Sequence, residues 1–448
     1  MLKDSETGLA RVSSLPRHSS ESRTGASRTR YYILVLSFVV GLVMFLDRAC
    51  MGAATPIIMR EFHLDKITMG WSASAFNWTY ALFQIPGGWL ADRFGSRIVL
   101  AGAVTWWSVF TAATGGAFNA ISLAVTRGLF GMGEAAAWPT ASRSLLRWLP
   151  VEQRAFGQGF QHSGSRLGAA FAPAMVVFLI ARSNWRTVFY IFGAAGILIA
   201  VAWYVYYRDF PHEHPGVNRD ELDLLRSAAG VHPRNSGPVP WRRMLHSPDL
   251  LCLSLAYFCY GWVFWIYLQW LPTYLSEVRH FDHVTMGLAA SAPLIAATIM
   301  NMAGGLLSDR LARHWSDLRR GRVAVSVAGF GLAGTAIIPG VLANDAFVGL
   351  AFLTLAMAGL ELTVAVSWAI CLDIAGNFSG SVTGVMNTLG NLGGAVSAVL
   401  TGYLATIFGW TVPFLVSSLL CAVAASLAAR IDPKRSAVEN LNAESMKA

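Results

Sequence analysis

Twelve long apolar runs separated by short polar breaks dominate the pattern of hydrophobic and polar positions along this chain. They fall at about 31–58, 68–91, 97–118, 120–145, 155–181, 185–207, 249–276, 284–308, 322–343, 346–372, 380–408 and 410–430. A bilayer-spanning helix needs about 20 predominantly apolar residues, and every run has that length. The widest polar break, 208–248, holds Pro211, Pro215, Pro233, Pro238 and Pro240 and divides the runs into six and six. The pattern predicts an all-α membrane protein of twelve transmembrane helices: an N-terminal six-helix bundle over 31–207, a linker over 208–248 and a C-terminal six-helix bundle over 249–430. Residues 1–30 and 431–448 are expected to be polar tails, the first of them disordered.

Composition removes the soluble alternatives. Hydrophobic residues make up 54% of the 448 positions, charged residues only 13%, and mean hydropathy is +0.48, whereas soluble domains carry about 25% charged residues. The net charge of +9 would suggest nucleic acid in a soluble chain, but its placement argues for a bilayer instead. With the N-terminus inside, 26 of the 34 basic residues fall in cytoplasmic segments and five (Arg60, Lys66, Arg182, Arg186, Arg279) in outer loops. By the positive-inside rule, both termini are expected in the cytoplasm. The five cysteines all lie in apolar runs without metal-ligand spacing, which fits burial better than disulfides or metal. Residues 1–30 lack the apolar core of a signal peptide. Thirty Arg against four Lys suggests a G+C-rich genome, and hence a bacterial inner membrane.

The two halves echo each other. Thr68 to Arg93 reads TMGWSASAFNWTYALFQIPGGWLADR and Thr285 to Arg310 reads TMGLAASAPLIAATIMNMAGGLLSDR, with eleven of 26 positions identical at a constant offset of 217. Trp185 and Phe189 recur as Trp410 and Phe414. An even number of spans separates the copies, so they run the same way through the membrane. Parallel repeats around a midplane site are a transporter architecture.

Chemistry is expected where charges sit at bilayer depth, because a mid-span ionisable group costs at least about 2.5–3.5 kcal/mol and is usually kept for a purpose. Asp47 and Arg48 stand in the first run and Arg127 and Glu134 in the fourth. Adjacent residues project about 100° apart on a helix, and residues seven apart share a face. Such a set offers a receptor for a carboxylate beside proton-titratable acids, a physical basis for proton-coupled uptake of an anion. Helix-joining ion pairs are the competing reading, strongest for Arg127. Arg166 is a third intramembrane cation, favouring a more highly charged or longer anion if it faces the cavity, or else pairing with an acid. His162 reads as structural, and Glu361 stands mid-span with no partner evident in the sequence. No HExxH, GxSxG or Cys/His spacing supports an enzyme, and both tails are too short for a sensor's signalling domain. An anion exchanger or uniporter remains the rival within transport, but it has no need of titratable acids.

Gly87-Gly88-Trp89-Leu90-Ala91-Asp92-Arg93-Phe94-Gly95-Ser96-Arg97 resembles the cytoplasmic signature loop of the major facilitator superfamily, with Asp309 and Arg310 marking its counterpart. The resemblance implies that Asp92, Arg93, Asp309 and Arg310 are gate elements. The runs Leu46–Phe62, Asn77–Gly88, Arg127–Pro139 and Gly384–Gly394 resemble helices 1, 2, 4 and 11 of its anion:cation symporter family, which includes galactonate, glucarate and hexuronate permeases. That resemblance covers nearly all of 31–430. It implies that Arg48 binds the substrate carboxylate with Tyr80 hydrogen-bonding beside it, and that Asp47 and Glu134 carry protons with Arg127 coupled to Glu134. It further implies that Asn391 and Trp368 close a sugar-acid pocket from the second half. Ser165-Arg166 departs from the Gln and apolar residue of the sugar-acid permeases. The expected partners are a small organic anion, protons and lipid. No cofactor beyond a proton gradient and no nucleic acid is expected, and the chain is expected to act as a monomer.

Overall fold

The computed structural model describes residues 25–64, 66–229, 238–281 and 283–437, and everything below refers to these. The N-terminal bundle comprises α1 (Thr29–Glu61), α2 (Lys66–Phe94), α3 (Ser96–Gly115), α4 (Ala120–Glu134), α5 (Ala137–Trp148), α6 (Arg154–Arg182) and α7 (Trp185–Tyr206). Two short helices occupy the linker, α8 (Arg219–Ala229) and α9 (Trp241–His246). The C-terminal bundle comprises α10 (Pro248–Gln269), α11 (Leu271–Glu277), α12 (His283–His314), α13 (Leu318–Leu342), α14 (Ala346–Ile374), α15 (Ser379–Phe408) and α16 (Thr411–Ala428).

Two expected spans are broken. The fourth divides at 135–136 into α4 and α5, with Pro139 in the first turn of α5, where its missing N–H costs nothing. The seventh divides at Trp270, and Pro272 stands at the start of α11 in the same way. Side-chain caps start several helices: Asn119 and Ser122 form a reciprocal capping box at α4, Asn184 caps α7 and Asp345 caps α14. Gly95, at φ +87°, turns the chain from α2 into α3 within one residue, and Asp209 accepts from the Ser96 N–H at 2.7 Å to cap the new helix.

The internal repeat reappears as repeated packing. In the first half α1 lies on α6, α2 on α4 and α3 on α7; in the second, α10 lies on α15, α12 on α14 and α13 on α16. The halves meet along two seams, α2 with α15 and α6 with α12. Glycine makes the first seam close, because a Cβ on Gly88 would run into the Gly380 carbonyl. Large apolar side chains such as Leu82, Leu198, Val399 and Leu419 are exposed on the outer surface, as lipid-facing helices require. Nine of the described helices are long and apolar enough to cross a membrane by length and composition alone. The exceptions are α2, α6 and the broken α4–α5 pair. They carry Gln84, Arg127, Glu134, Gln158, Gln161, His162 and Arg166, so their polarity reflects an internal face.

Both described ends of the chain lie at one end of the molecule. Residues 25–30 are held and are not a free tail: Glu221 of α8 accepts from the Thr29 N–H at 3.2 Å, and from the Arg30 N–H and Nη1 at 3.1 Å each. The expected disorder of 1–24 lies outside the described residues, as does the stretch 438–448. At the other terminus the Ala437 N–H donates to the Ile374 carbonyl at 2.9 Å and the Asp432 N–H to Asp249 at 2.8 Å.

Candidate functional site

A cavity of about 280 Å³ lies between the halves, walled by Arg48, Tyr80, Trp138, His162 and Arg166 from the first and by Tyr257, Tyr260, Phe264, Trp368, Asn387 and Asn391 from the second. A second space of about 240 Å³ shares Tyr80, Trp265 and Asn391 with it. It continues between α2 and α15 past Asn77, Ser74 and Ala398, toward the end opposite the termini. The cavity is therefore approached from that side.

Two guanidinium–carboxylate pairs line it. On α1, Arg48 donates through Nε to both Glu134 oxygens at 3.1 and 3.0 Å. Its guanidinium lies 4.6 Å from the Tyr80 ring centre and 5.0 Å from those of Phe45 and Phe76. Stacking against aromatic faces suits a planar, weakly hydrated cation. Glu134 is fully buried behind it, and Nη2 of Arg48 is buried with no hydrogen-bond partner. On α6, Arg166 donates through Nη2 to Glu361 at 3.0 Å and to the Tyr260 hydroxyl at 2.9 Å. The Tyr260 hydroxyl and Asn301 Nδ2 each donate to Glu361 at 2.9 Å. Glu361 thus has three partners, correcting the expectation that it stood alone.

The other expected residues take varied positions. Asp47 is fully buried but faces α3, accepting from Trp107 Nε1 at 3.1 Å, and does not wall the cavity. Arg127 does not hold Glu134 by a hydrogen bond. Its Nε and Nη1 are buried without partners, its guanidinium lies 4.3 Å from the Phe130 ring centre, and it stays within electrostatic reach of both Asp47 and Glu134. Arg127 and Glu134 are thus coupled through charge alone, and the direct hydrogen bonds to the acid come from Arg48, which α1 brings against it. Trp368 donates to the Tyr257 hydroxyl at 2.8 Å, and Asn391 Nδ2 to the Asn387 carbonyl at 2.8 Å; both wall the cavity. His162 stacks on Trp138 with centres 4.2 Å apart, its Nε2 buried and unpartnered.

Tyr257, Tyr260 and Phe264 were not singled out from the sequence. Their spacing of three and four puts them on one helix face, and their rings stack in series at 4.9 and 5.6 Å. That stripe was the available signal, but an aromatic stripe in an apolar helix reads equally as packing.

The terminus-bearing end is shut by the repeated aspartates. Asp92 accepts from the Gly380 and Ser381 N–H groups at 2.9 and 2.7 Å, and from Arg143 Nε at 2.9 Å. Asp309 accepts from the Phe156 N–H at 2.8 Å and from Arg322 Nη1 at 2.6 Å. Each carboxylate thus sits on the N-terminus of a helix from the opposite half, α15 or α6, where unpaired N–H groups and the helix dipole favour an anion. Asp373 bridges Arg322 at 3.1 Å and Arg154 at 3.0 Å, the latter across the halves. Arg93 and Arg310 were expected in this gate, but both are exposed. Arg93 stacks on Trp89 and Phe94. The adjacent position points about 100° away, so Arg143 and Arg322 supply the cations instead.

A helical protein of two repeated bundles, with one central cavity and ion-paired seams, is built as a membrane transporter, and comparison agrees. Residues 37–398 match the Major Facilitator Superfamily, and the chain belongs to that superfamily. It is 37% identical over 408 residues to a probable sulfoacetate transporter of Cupriavidus necator, covering 91% of this chain and 94% of the relative. It is 31% identical over 395 residues to the D-galactonate transporter of Escherichia coli, covering 86% and 91% respectively. Among solved structures, the human organic anion transporter MFSD10 superposes with a TM-score of 0.71 at 16% identity over 89% of this chain and 99% of that one. A point variant of the Escherichia coli fucose:proton symporter gives 0.69 at 15% identity over 90% and 98%. These structural likenesses bear on the fold alone. The protein is a multi-pass membrane transporter of this superfamily, and it is not an enzyme.

Proposed function

We propose that this protein imports a small organic anion together with protons by alternating access. The single observation that carries the reading is the pair Arg48–Glu134 at the cavity wall. A guanidinium with a free, buried Nη2 receives the substrate's acidic group, while the carboxylate now holding Nε takes up a proton as that bond is surrendered. Coulomb coupling between acid, cation and incoming anion is strong where water is scarce. Substrate arrival and protonation therefore favour one another. Asp47, sealed against Trp107, serves as a second proton site, with Arg127 setting the charge balance between the two acids. Tyr80, Asn391 and Trp368 shape the pocket around the anion.

Relatives named as sulfoacetate, galactonate and galactarate/glucarate transporters support an organic anion, with hexonates, hexuronates and aldarates among the candidates. The shut gate at Asp92 and Asp309 and the opening toward the other end support an outward-facing resting state. In this orientation both termini are cytoplasmic, in keeping with the Lys and Arg distribution, and the membrane is the bacterial inner membrane.

The test is uptake into proteoliposomes of labelled galactonate, glucarate, sulfoacetate and neutral galactose, with and without an inward proton gradient. Gradient-stimulated accumulation of at least one anion is expected. Import of the neutral sugar with none of the anions would overturn the assignment.

A further inference from the structure

A second cation faces the same cavity, and the charge-binding capacity of that site is larger than one acidic group uses. Arg48 and Arg166 both wall the cavity of about 280 Å³. Each is tied to one carboxylate by one edge only, and each keeps a buried nitrogen without a hydrogen-bond partner: Nη2 of Arg48 and Nε of Arg166. Arg166 is itself only 6% exposed, so an unused donor there carries a desolvation cost that a ligand can relieve. The same cavity is also walled by hydroxyl, amide and imidazole groups, including Tyr80, Asn387 and His162, whose Nε2 is also buried and unpartnered.

We propose that the preferred substrate is a short molecule with an acidic group at each end, one received by Arg48 and the other by Arg166. This rests on the organic-anion reading above and adds Arg166 as the residue that sets substrate charge. The two pairs are neutral as they stand. Each entering anionic group therefore calls for one proton on a carboxylate if the cavity is to stay neutral in a low-dielectric setting. The carboxylates paired with the two cations are Glu134 behind Arg48 and Glu361 behind Arg166. The groups facing Glu361 are Arg166 of α6, Tyr260 and Tyr257 of α10 and Asn301 of α12. Of these only Arg166 carries a charge, so Glu361 depends on that one cation for its compensation. A monoanion engages Arg48 and leaves Arg166 with its present partners, whereas a dianion uses both cations. Both cations wall one cavity of about 280 Å³, so the two acidic groups belong to a single molecule small enough to fit within it.

The experiment compares kcat/KM for succinate, a two-carbon sulfonate–carboxylate, butyrate and gluconate in proteoliposomes, for the wild type and for Arg166→Gln and Arg166→Lys. The wild type is expected to favour the two dianions over both monoanions by at least about 10-fold. In Arg166→Gln that ratio should fall about 10- to 100-fold, the scale of a lost charge-assisted hydrogen bond, with partial recovery in Arg166→Lys. More protons should enter per succinate than per gluconate. If Arg166→Gln fails to insert, thermal stabilisation of the wild type decides: greater protection by succinate than by butyrate supports the proposal, and the reverse overturns it. A wild type that prefers gluconate, with the ratio unmoved in Arg166→Gln, overturns the second receptor and leaves organic-anion transport standing. Accumulation of none of the four anions overturns both.

Discussion

The two arginine–carboxylate pairs of the cavity have nearly equal distances, 3.0 Å each at their closest, yet they join different things. Arg48–Glu134 connects α1 to α4 within one bundle and travels with it as a unit. Arg166–Glu361 connects α6 of the first bundle to α14 of the second, with Tyr260 and Asn301 of the second bundle holding the acid in place. The first pair can exchange partners without any movement of the halves. The second reports on their relative position, because rocking one bundle against the other stretches it. In the proposed cycle, chemistry falls to the contact inside one bundle and conformational change to the similar contact that crosses between bundles.

The sharpest way to break this comparison is to remove the first cation. Arg48→Ala is expected to lower kcat/KM for anion uptake by about 100-fold or more, from loss of charge-assisted bonds worth about 1.5–3 kcal/mol each, with membrane expression unchanged. Full activity in that variant would take Arg48 out of the site. Next, Glu134→Gln should abolish gradient-driven accumulation by about 10-fold or more while counterflow survives. Wild-type uptake should rise as the outside is acidified, and the variant's should be flat. Loss of counterflow together with accumulation would make Glu134 a structural partner of Arg48 and nothing more.

The gates give a middle effect. Asp309→Asn or Asp92→Asn removes a buried charge from a helix N-terminus and from an arginine, a loss of about 1.5–3 kcal/mol. Maleimide labelling of Ser379→Cys, in a background without the five native cysteines, should therefore rise about 10-fold or more. Unchanged labelling would show that the seam is held elsewhere. The smallest effect is expected at the neighbouring arginines: exposed charges contribute about 0–1 kcal/mol, so Arg93→Ala and Arg310→Ala should each alter uptake less than about 5-fold. A large loss there would restore the sequence motif's own cations to the gate.

Much of the architecture was legible before any coordinates. Apolar run length marked the helices, and the 217-residue offset marked the repeat that returns as matched helix pairing. Arg48 was legible because a mid-span cation announces a cavity. The partnerships were not. Glu361 looked solitary because Arg166 lies 195 positions earlier, and no helical period links them. Asp92 carried its apparent partner beside it as Arg93, whereas the true one, Arg143, is 51 residues away. The breaks in the fourth and seventh spans were also hidden, since Pro139 and Pro272 stand at positions where proline starts a helix as readily as it kinks one.

Asp92 and Asp309 reach across the seam to amide hydrogens of the main chain, at Gly380, Ser381 and Phe156. Main-chain donors survive every replacement except proline. Drift in the side chains at 381 and 156 can therefore retune the surroundings of this closure without erasing its receptor, whereas the aspartates and the buried arginines that hold them are points of failure. In a saturation library, selection should fall hard on the two acidic positions and their arginines, and lightly on the helix starts that the aspartates cover, apart from Gly380, where any Cβ would collide with the Gly88 carbonyl.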